Sequence, residues 1–209
     1  DNYFKCTETA DLIRLIEDSV GDIDDEIVAS NPDLQQILSQ VRQERFDSEF
    51  ARLNEDQRAV CTAPYQQNLL VNAGPGSGKT HVLTMRCAHL IHKQRINPRE
   101  ILVLAFNRAV VSEVKDRIRT LFRELGYGRF AERLDVTTFH SFALRHRQER
   151  ALYEEKSLAE ALHQFSEMMQ SDEAYASSIA TQYRAVLVDE FQDMNEDFYN
   201  VVTSLATAC

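Results

Sequence analysis

Eight consecutive residues, Ala73-Gly74-Pro75-Gly76-Ser77-Gly78-Lys79-Thr80, combine the small residues, the cation and the hydroxyl that binding a polyphosphate requires. Glycines at 74, 76 and 78 let the backbone curl without Cβ clashes, so successive N–H groups can converge on phosphate oxygens. Lys79 offers its charge to the β- and γ-phosphates, and the Thr80 hydroxyl offers a ligand to Mg²⁺. His81, next along the chain, completes the candidate nucleotide-binding set. The apolar run before the loop reads as a strand over Asn68–Asn72. Val82, Leu83, Met85 and Leu90 after it read as a helix, whose N-terminal end adds a positive field at the same spot. The ligand these residues predict is a nucleoside triphosphate.

A second group of chemistry-bearing residues lies over a hundred positions downstream. Ala185-Val186-Leu187-Val188 is an apolar strand that runs into Asp189 and Glu190. Successive side chains of a strand point to opposite sides, which predicts a division of labour. Asp189 is expected to face the metal and Thr80, and Glu190 to polarise the attacking water. Gln57, some twenty residues before Lys79, carries an amide able to pair with adenine N6 and N7.

The elements that must position these residues follow from the apolar pattern. Strands are expected at Asn68–Asn72, Ile101–Ala105, Leu134–Thr137 and Ala185–Asp189, each apolar along nearly its whole length, as in parallel strands covered on both faces. Helical patterns fill 79–92, 107–125, 139–150 and 157–183. This alternation predicts an α/β fold, a doubly wound parallel sheet with helices on both faces. Functional residues should then gather at the carboxyl ends of the strands, where the phosphate loop, Phe106-Asn107, Thr137-Thr138 and Asp189-Glu190 all fall.

Composition narrows the setting. The chain has 209 residues, 44% of them hydrophobic, enough for a sizeable core. No stretch approaches the length needed to span a bilayer. Four scattered cysteines (Cys6, Cys61, Cys87 and Cys209) form no metal-binding spacing and predict reduced thiols in a cytoplasmic protein. The net charge of −10 is segregated: residues 1–56 hold 15 acidic side chains against 5 basic ones, while residues 57–209 hold 18 of each. The bulk charge therefore does not exclude nucleic acid, and basic clusters occur at Arg117/Arg119/Arg123 and Arg145/Arg147/Arg150. The leader, about residues 1–50, reads as two short helices, one around Leu12–Ile16 and one capped by Asn31-Pro32, followed by the polar stretch Arg42–Ser48. It is either an appendage or a helix for a protein partner. The absence of an initiating Met and a helical pattern running up to Cys209 are the marks expected of a piece of a larger protein.

Taken together, the motifs resemble those of superfamily 1 helicases of the UvrD/Rep/PcrA type. Leu53…Gln57…Ala59 is similar to their Q motif and Ala73–Thr80 to motif I. Leu104-Ala105-Phe106-Asn107-Arg108-Ala109, with Glu113 and Arg117-Ile118, is similar to motif Ia. Val136-Thr137-Thr138-Phe139-His140-Ser141-Phe142-Ala143 resembles the motif called Ib or Ic, and Val188-Asp189-Glu190-Phe191-Gln192-Asp193 resembles motif II. The likeness spans about residues 53–200. It implies a RecA-like P-loop NTPase domain over 51–209, with a reduced helical insertion near 147–183, ending after motif II.

That resemblance implies an ATP-dependent 3′→5′ motor on single-stranded DNA, using ATP and Mg²⁺ and working with a second RecA-like domain in cis. It also leaves open the motor of a helicase–nuclease or of a multidomain fusion. A non-motor ATP-binding switch is the rival of another class. The implied site comprises Gln57 on adenine, Ala73–Thr80 and His81 around the nucleotide, Lys79 on the phosphates, and Thr80 with Asp189 on Mg²⁺. Glu190 would activate water and Gln192 would couple nucleotide state to the rest of the engine. Phe106, Asn107, Arg108, Thr138 and His140 would lie along the DNA. Where the family commonly has Thr-Phe-Thr-Asn-Lys, this chain has Ala105-Phe106-Asn107-Arg108-Ala109, which replaces polar groups at that turn. Without the second domain's arginines, hydrolysis by this chain alone is expected to be poor. The implied location is cytoplasmic, on the nucleoid if the source is bacterial.

Overall fold

A computed structural model describes residues 32–146 and 157–208. The expected helix around Leu12–Ile16, Arg147 and Arg150 of the basic cluster, and the first part of the helical insertion lie outside the described residues. Three strands, β1 (Ile101–Ala105), β2 (Asp135–Thr138) and β3 (Ala185–Val188), form a parallel sheet in the order β2-β1-β3. Leu104 lies opposite Thr137 on one side and Val188 on the other. Parallel strands need crossover connections, and helices supply them.

Before β1 come α1 (Pro32–Ala51), α2 (Glu55–Thr62) and α3 (Lys79–His92). Between β1 and β2 lie α4 (Arg108–Glu124) and the single turn α5 (Gly128–Ala131). Among the described residues three helices lie between β2 and β3: α6 (Phe139–His146), α7 (Leu158–Ser171) and α8 (Glu173–Ala180). After β3 a short 3₁₀ turn, Phe191–Asp193, leads into α9 (Glu196–Ala208). The expected helix over 157–183 is thus two helices, broken at Asp172, whose side chain accepts from the Tyr175 N–H and starts α8.

The central strand decides the layering. All five residues of β1 are fully buried, and its alternating side chains feed two cores. Ile101 and Val103 join Phe46, Met85, Leu90, Val114, Ile118 and Phe122 from α1, α3 and α4. Leu102 and Leu104 join Phe139, Phe142, Phe165, Ile179, Phe198 and Val201 from α6 to α9 on the other face. Helices cover both faces of the sheet, as in a RecA-like α/β fold.

One expected strand is corrected. Asn68–Asn72 makes no ladder with β3 or any other described strand, and Leu69, Leu70 and Val71 are exposed, Leu70 at 74%. An apolar run becomes a strand only when a neighbour takes up its N–H and C=O groups. The segment nonetheless starts beside β3: Arg184, just before that strand, donates from Nη2 to the Tyr65 hydroxyl at 2.6 Å and lies over the Tyr65 ring.

Candidate functional site

The phosphate loop keeps its expected curvature without the strand. Gly76 and Gly78 take positive φ, +73° and +84°, a region costly for residues with a Cβ. Ser77 N–H donates to the Gly74 carbonyl at 3.3 Å, closing the turn. Gly78 is the N-cap of α3 and offers no side-chain cap, which leaves first-turn N–H groups free for an anion. Lys79, Thr80 and His81 form that first turn, all half-buried. Ala73 is half-buried at the entrance, while Gly74, Pro75, Gly76 and Ser77 are exposed.

Gln57 sits directly against this loop. Its Nε2 donates to the Ser77 carbonyl at 3.0 Å, and its Oε1 accepts from the Asn54 N–H at 3.0 Å within the capping box of α2. A Cβ at position 78 would come within 3.1 Å of Nε2 and press on the Gln57 amide, so a side chain there would disturb this contact as well as strain the backbone. One amide N–H and one carbonyl lone pair of Gln57 remain for a ligand. His81 instead lines a cleft of about 550 Å³ beside the loop, shared with Glu49 of α1, Thr84 of α3 and Glu113, Asp116 and Arg117 of α4.

The acidic pair sits at the end of β3. Asp189 is 6% exposed, and its N–H continues the ladder to the Leu104 carbonyl at 3.0 Å. Its Oδ1 accepts from the Glu190 N–H at 3.0 Å. Burial raises the Asp189 carboxyl above the usual carboxylate range, and the Glu190 and Glu113 charges add to the rise; the Glu190 N–H and Lys79 oppose it. Lys79 and Asp189 therefore act on each other across the gap between the loop and β3.

Thr80 and Asp189 together offer hard oxygen donors of the type Mg²⁺ prefers. Among the described residues no group of three or more His, Cys, Asp or Glu could hold a metal on its own. That donor set fits a cation completed by phosphate oxygens and water.

Glu190 corrects the reasoning by strand alternation. It lies outside β3 in the left-handed region, φ 53° and ψ 50°, so the turn rather than the pleat separates it from Asp189. For a residue with a Cβ that conformation costs about 1–2 kcal/mol. Three hydrogen bonds hold it there: Glu190 N–H to Asp189 Oδ1, Asp193 N–H to the Glu190 carbonyl at 3.0 Å, and Gln192 Nε2 to Glu190 Oε2. A strained acid fixed by its surroundings is a common feature of working sites.

Beyond β1 and β2 lie the other predicted residues. Ala105 pairs with Thr138 in register, so the turns that follow are neighbours. Phe106 is 42% exposed and His140 half-buried, and both rings stand nearly perpendicular to the buried ring of Phe198, at 83° and 84°. Asn107 and Thr138 are occupied locally. Asn107 Oδ1 caps α4 through the Val110 N–H at 2.9 Å. The Thr138 hydroxyl is buried, accepts from the Ser141 N–H at 3.1 Å and donates to Ser141 Oγ at 3.0 Å, thereby starting α6. Arg108 is exposed at the start of α4.

Two residues at this surface escaped the sequence reading. Ser141 is the exposed partner of Thr138, and the Thr-x-x-Ser spacing was its signal. Phe198 carried no signal, because a phenylalanine on an amphipathic helix reads as core.

The UvrD/REP helicase N-terminal domain model matches residues 53–157 and 146–209. The ATP-dependent DNA helicase SRS2 of Saccharomyces cerevisiae is 42% identical over 95 residues, which are 46% of this chain and 8% of that protein. A probable DNA helicase of Mycoplasma pneumoniae is 30% identical over 162 residues, 71% of this chain and 30% of that protein. The ATP-dependent DNA helicase PcrA of Leuconostoc citreum is 39% identical over 92 residues, 44% of this chain and 12% of that protein. The chain thus spans less than a third of the length of each of these relatives. With the family model covering nearly all of residues 53–209, the chain belongs to the UvrD/REP helicase N-terminal domain family.

Proposed function

We propose that this chain is the ATP-binding half of a 3′→5′ motor that moves on single-stranded DNA. The observation that carries the reading is the uncapped start of α3, whose Lys79 charge acts on the buried Asp189 at the end of β3. Phe106 and His140 lie along the carboxyl edge of the same sheet.

In this reading the loop 73–78 wraps the triphosphate with its N–H groups, and Lys79 draws charge from the β- and γ-phosphates. Gln57 uses its remaining donor and acceptor on adenine. Thr80 and Asp189 would hold Mg²⁺, which when bound neutralises charge on the phosphates. Glu190 orients a water in line with the γ-phosphate and accepts its proton on a carboxylate oxygen. Gln192 steadies that carboxylate. The Phe106 face and Arg108 engage the strand, a second RecA-like domain in cis supplies arginine contacts, and the acidic leader before α1, residues 1–31, engages a protein partner. The cytoplasm or nucleoid follows as the location.

DNA-stimulated ATP hydrolysis separates this motor from an ATP-binding switch. In the protein carrying both motor domains, single-stranded DNA should raise turnover. Glu190→Gln should lower turnover at least 100-fold with ATP affinity within about threefold of wild type, since the base matters to the transition state and little to the ground state. Turnover that ignores DNA, or survives Glu190→Gln, argues against the motor.

A further inference from the structure

Phe198 is the least expected residue of the candidate strand-binding face. It is 2% exposed, and it is the one described side chain in ring contact with both Phe106 (centroids 5.7 Å apart) and His140 (5.6 Å). Beneath it, Phe139 packs at 4.6 Å and closes the core. Its own position is fixed at the start of α9, where the Phe198 N–H donates to Asn195 Oδ1 at 3.0 Å. Asp197, next to it, ties α9 to α7 through His163 Nδ1 at 2.9 Å. The outcome is an exposed ring, Phe106, supported on one side by a buried ring and open to solvent on the other.

An unsupported aromatic loses rotamer freedom when a base stacks on it, and that loss subtracts from affinity. A ring already held edge-to-face has less to lose. Phe106 alone has too little burial to be held by packing in the way β1 is held. Its one ring neighbour among the described residues is Phe198, and His140 shares that neighbour.

We propose that Phe198 is a positioning residue of the single-strand face, fixing Phe106 and His140 so that a base can stack without first ordering them. The proposal rests on the reading of Phe106 as a DNA contact. It adds a residue from the helix after the acidic turn, outside every motif that the sequence quoted for DNA. The ligand class is single-stranded nucleic acid bound through base faces, indifferent to sequence.

The test uses this chain and a fluorescein-labelled oligothymidylate, with affinity followed against salt. Phe198→Leu should weaken binding about fivefold or more, within the range stacking commands, while the log–log salt slope stays at the wild-type value because phosphate contacts persist. Phe142→Leu is the matched control: Phe142 is equally buried in the same core and touches His146, Phe165 and Tyr183, not Phe106 or His140. It should cost comparable thermal stability and leave DNA affinity unchanged. If Phe198→Leu fails to fold, Phe198→Met fills the volume and takes its place. Equal affinity in wild type and the Phe198 variant, with Phe106→Ala still weakened, overturns the proposal alone. Loss of affinity in Phe142→Leu to the same extent as in Phe198→Leu also overturns it, since both would then act through stability. If Phe106→Ala binds as wild type, or wild type does not bind, the DNA reading falls with it.

Discussion

At the scale of single residues, Asp189 shows a site working against the fold that carries it. Its carboxyl is raised by burial first, then by Glu190, with Lys79 in partial opposition. A raised carboxyl binds more protons in the native than in the unfolded chain, so stability falls as pH climbs through the window that opens at 3.8, and it stays reduced at neutral pH. Asp189→Asn removes that buried charge and keeps an oxygen for the Glu190 N–H. The melting temperature of the ligand-free chain should therefore rise by about 2–4 °C, the shift of ~1 kcal/mol in a domain of this size, while Mg²⁺-dependent nucleotide affinity is lost. A differential scanning measurement with a lower melting temperature contradicts the assignment of the strain to this charge. The Asp189-Glu190 pair was legible in the sequence because an apolar strand ending in two acids is unusual beside a phosphate loop. The left-handed turn that separates them was not, since no glycine or asparagine marks it. Likewise Thr138 was read as a surface group because its hydroxyl's partner, Ser141, is visible only once α6 forms.

Among the elements, α1 was the hardest to read. Arg42–Ser48 looks like a polar break, yet the helix runs through to Ala51. Its continuation depends on partners some eighty residues away. Arg42 Nε donates to the Gly126 carbonyl at 2.8 Å with its guanidinium 4.7 Å from the Tyr127 centroid, and Arg45 Nη1 donates to the Glu124 carbonyl at 2.9 Å. Two arginines thus satisfy carbonyls at the end of α4, a favourable place for cations. Phe46 stacks on His92 at 4.6 Å, and His92 reaches the Tyr127 hydroxyl and Gln43. Burial lowers both His89 and His92 to about 4, with Arg86 and Lys93 adding to His89 and Lys93 and Arg95 to His92, while Asp47 opposes. Both rings are neutral in the native chain and titrate near 6.5 when unfolded. The stability they confer is complete above that value and falls as pH drops from 6.5 toward 4. Thermal melts across that range should fall steadily in wild type. His89→Leu should flatten the decline without costing a hydrogen bond, because His89 Nδ1 has no partner among the described residues. An unchanged slope in that variant contradicts the assignment. The unpaired run at 68–72 fails from the other direction: its apolar pattern is that of a strand, and pattern alone cannot report whether a neighbour is present to complete a ladder.

For the whole molecule, the layering was legible because β1 is apolar at every position and must be covered twice. Val114, Ile118 and Leu121 on α4 repeat at helical spacing and name the face that covers it. Charge is divided along the chain, with the acidic excess in residues 1–56 and an even balance in 57–209, yet Glu49 of the acidic part reaches the cleft that His81 lines. The phosphate loop, whose Lys79 charge acts on Asp189, and the acidic turn and aromatic face at the carboxyl edge of the parallel sheet make up the candidate site. The account as a whole stands on a nucleotide binding at the first of these. Titration calorimetry of ATP into the chain with Mg²⁺, wild type against Lys79→Ala, measures that directly. The account predicts saturable, Mg²⁺-dependent binding by wild type and affinity at least about tenfold weaker in Lys79→Ala, the least expected from losing a charge-assisted phosphate contact; equal affinity in the two proteins would contradict it.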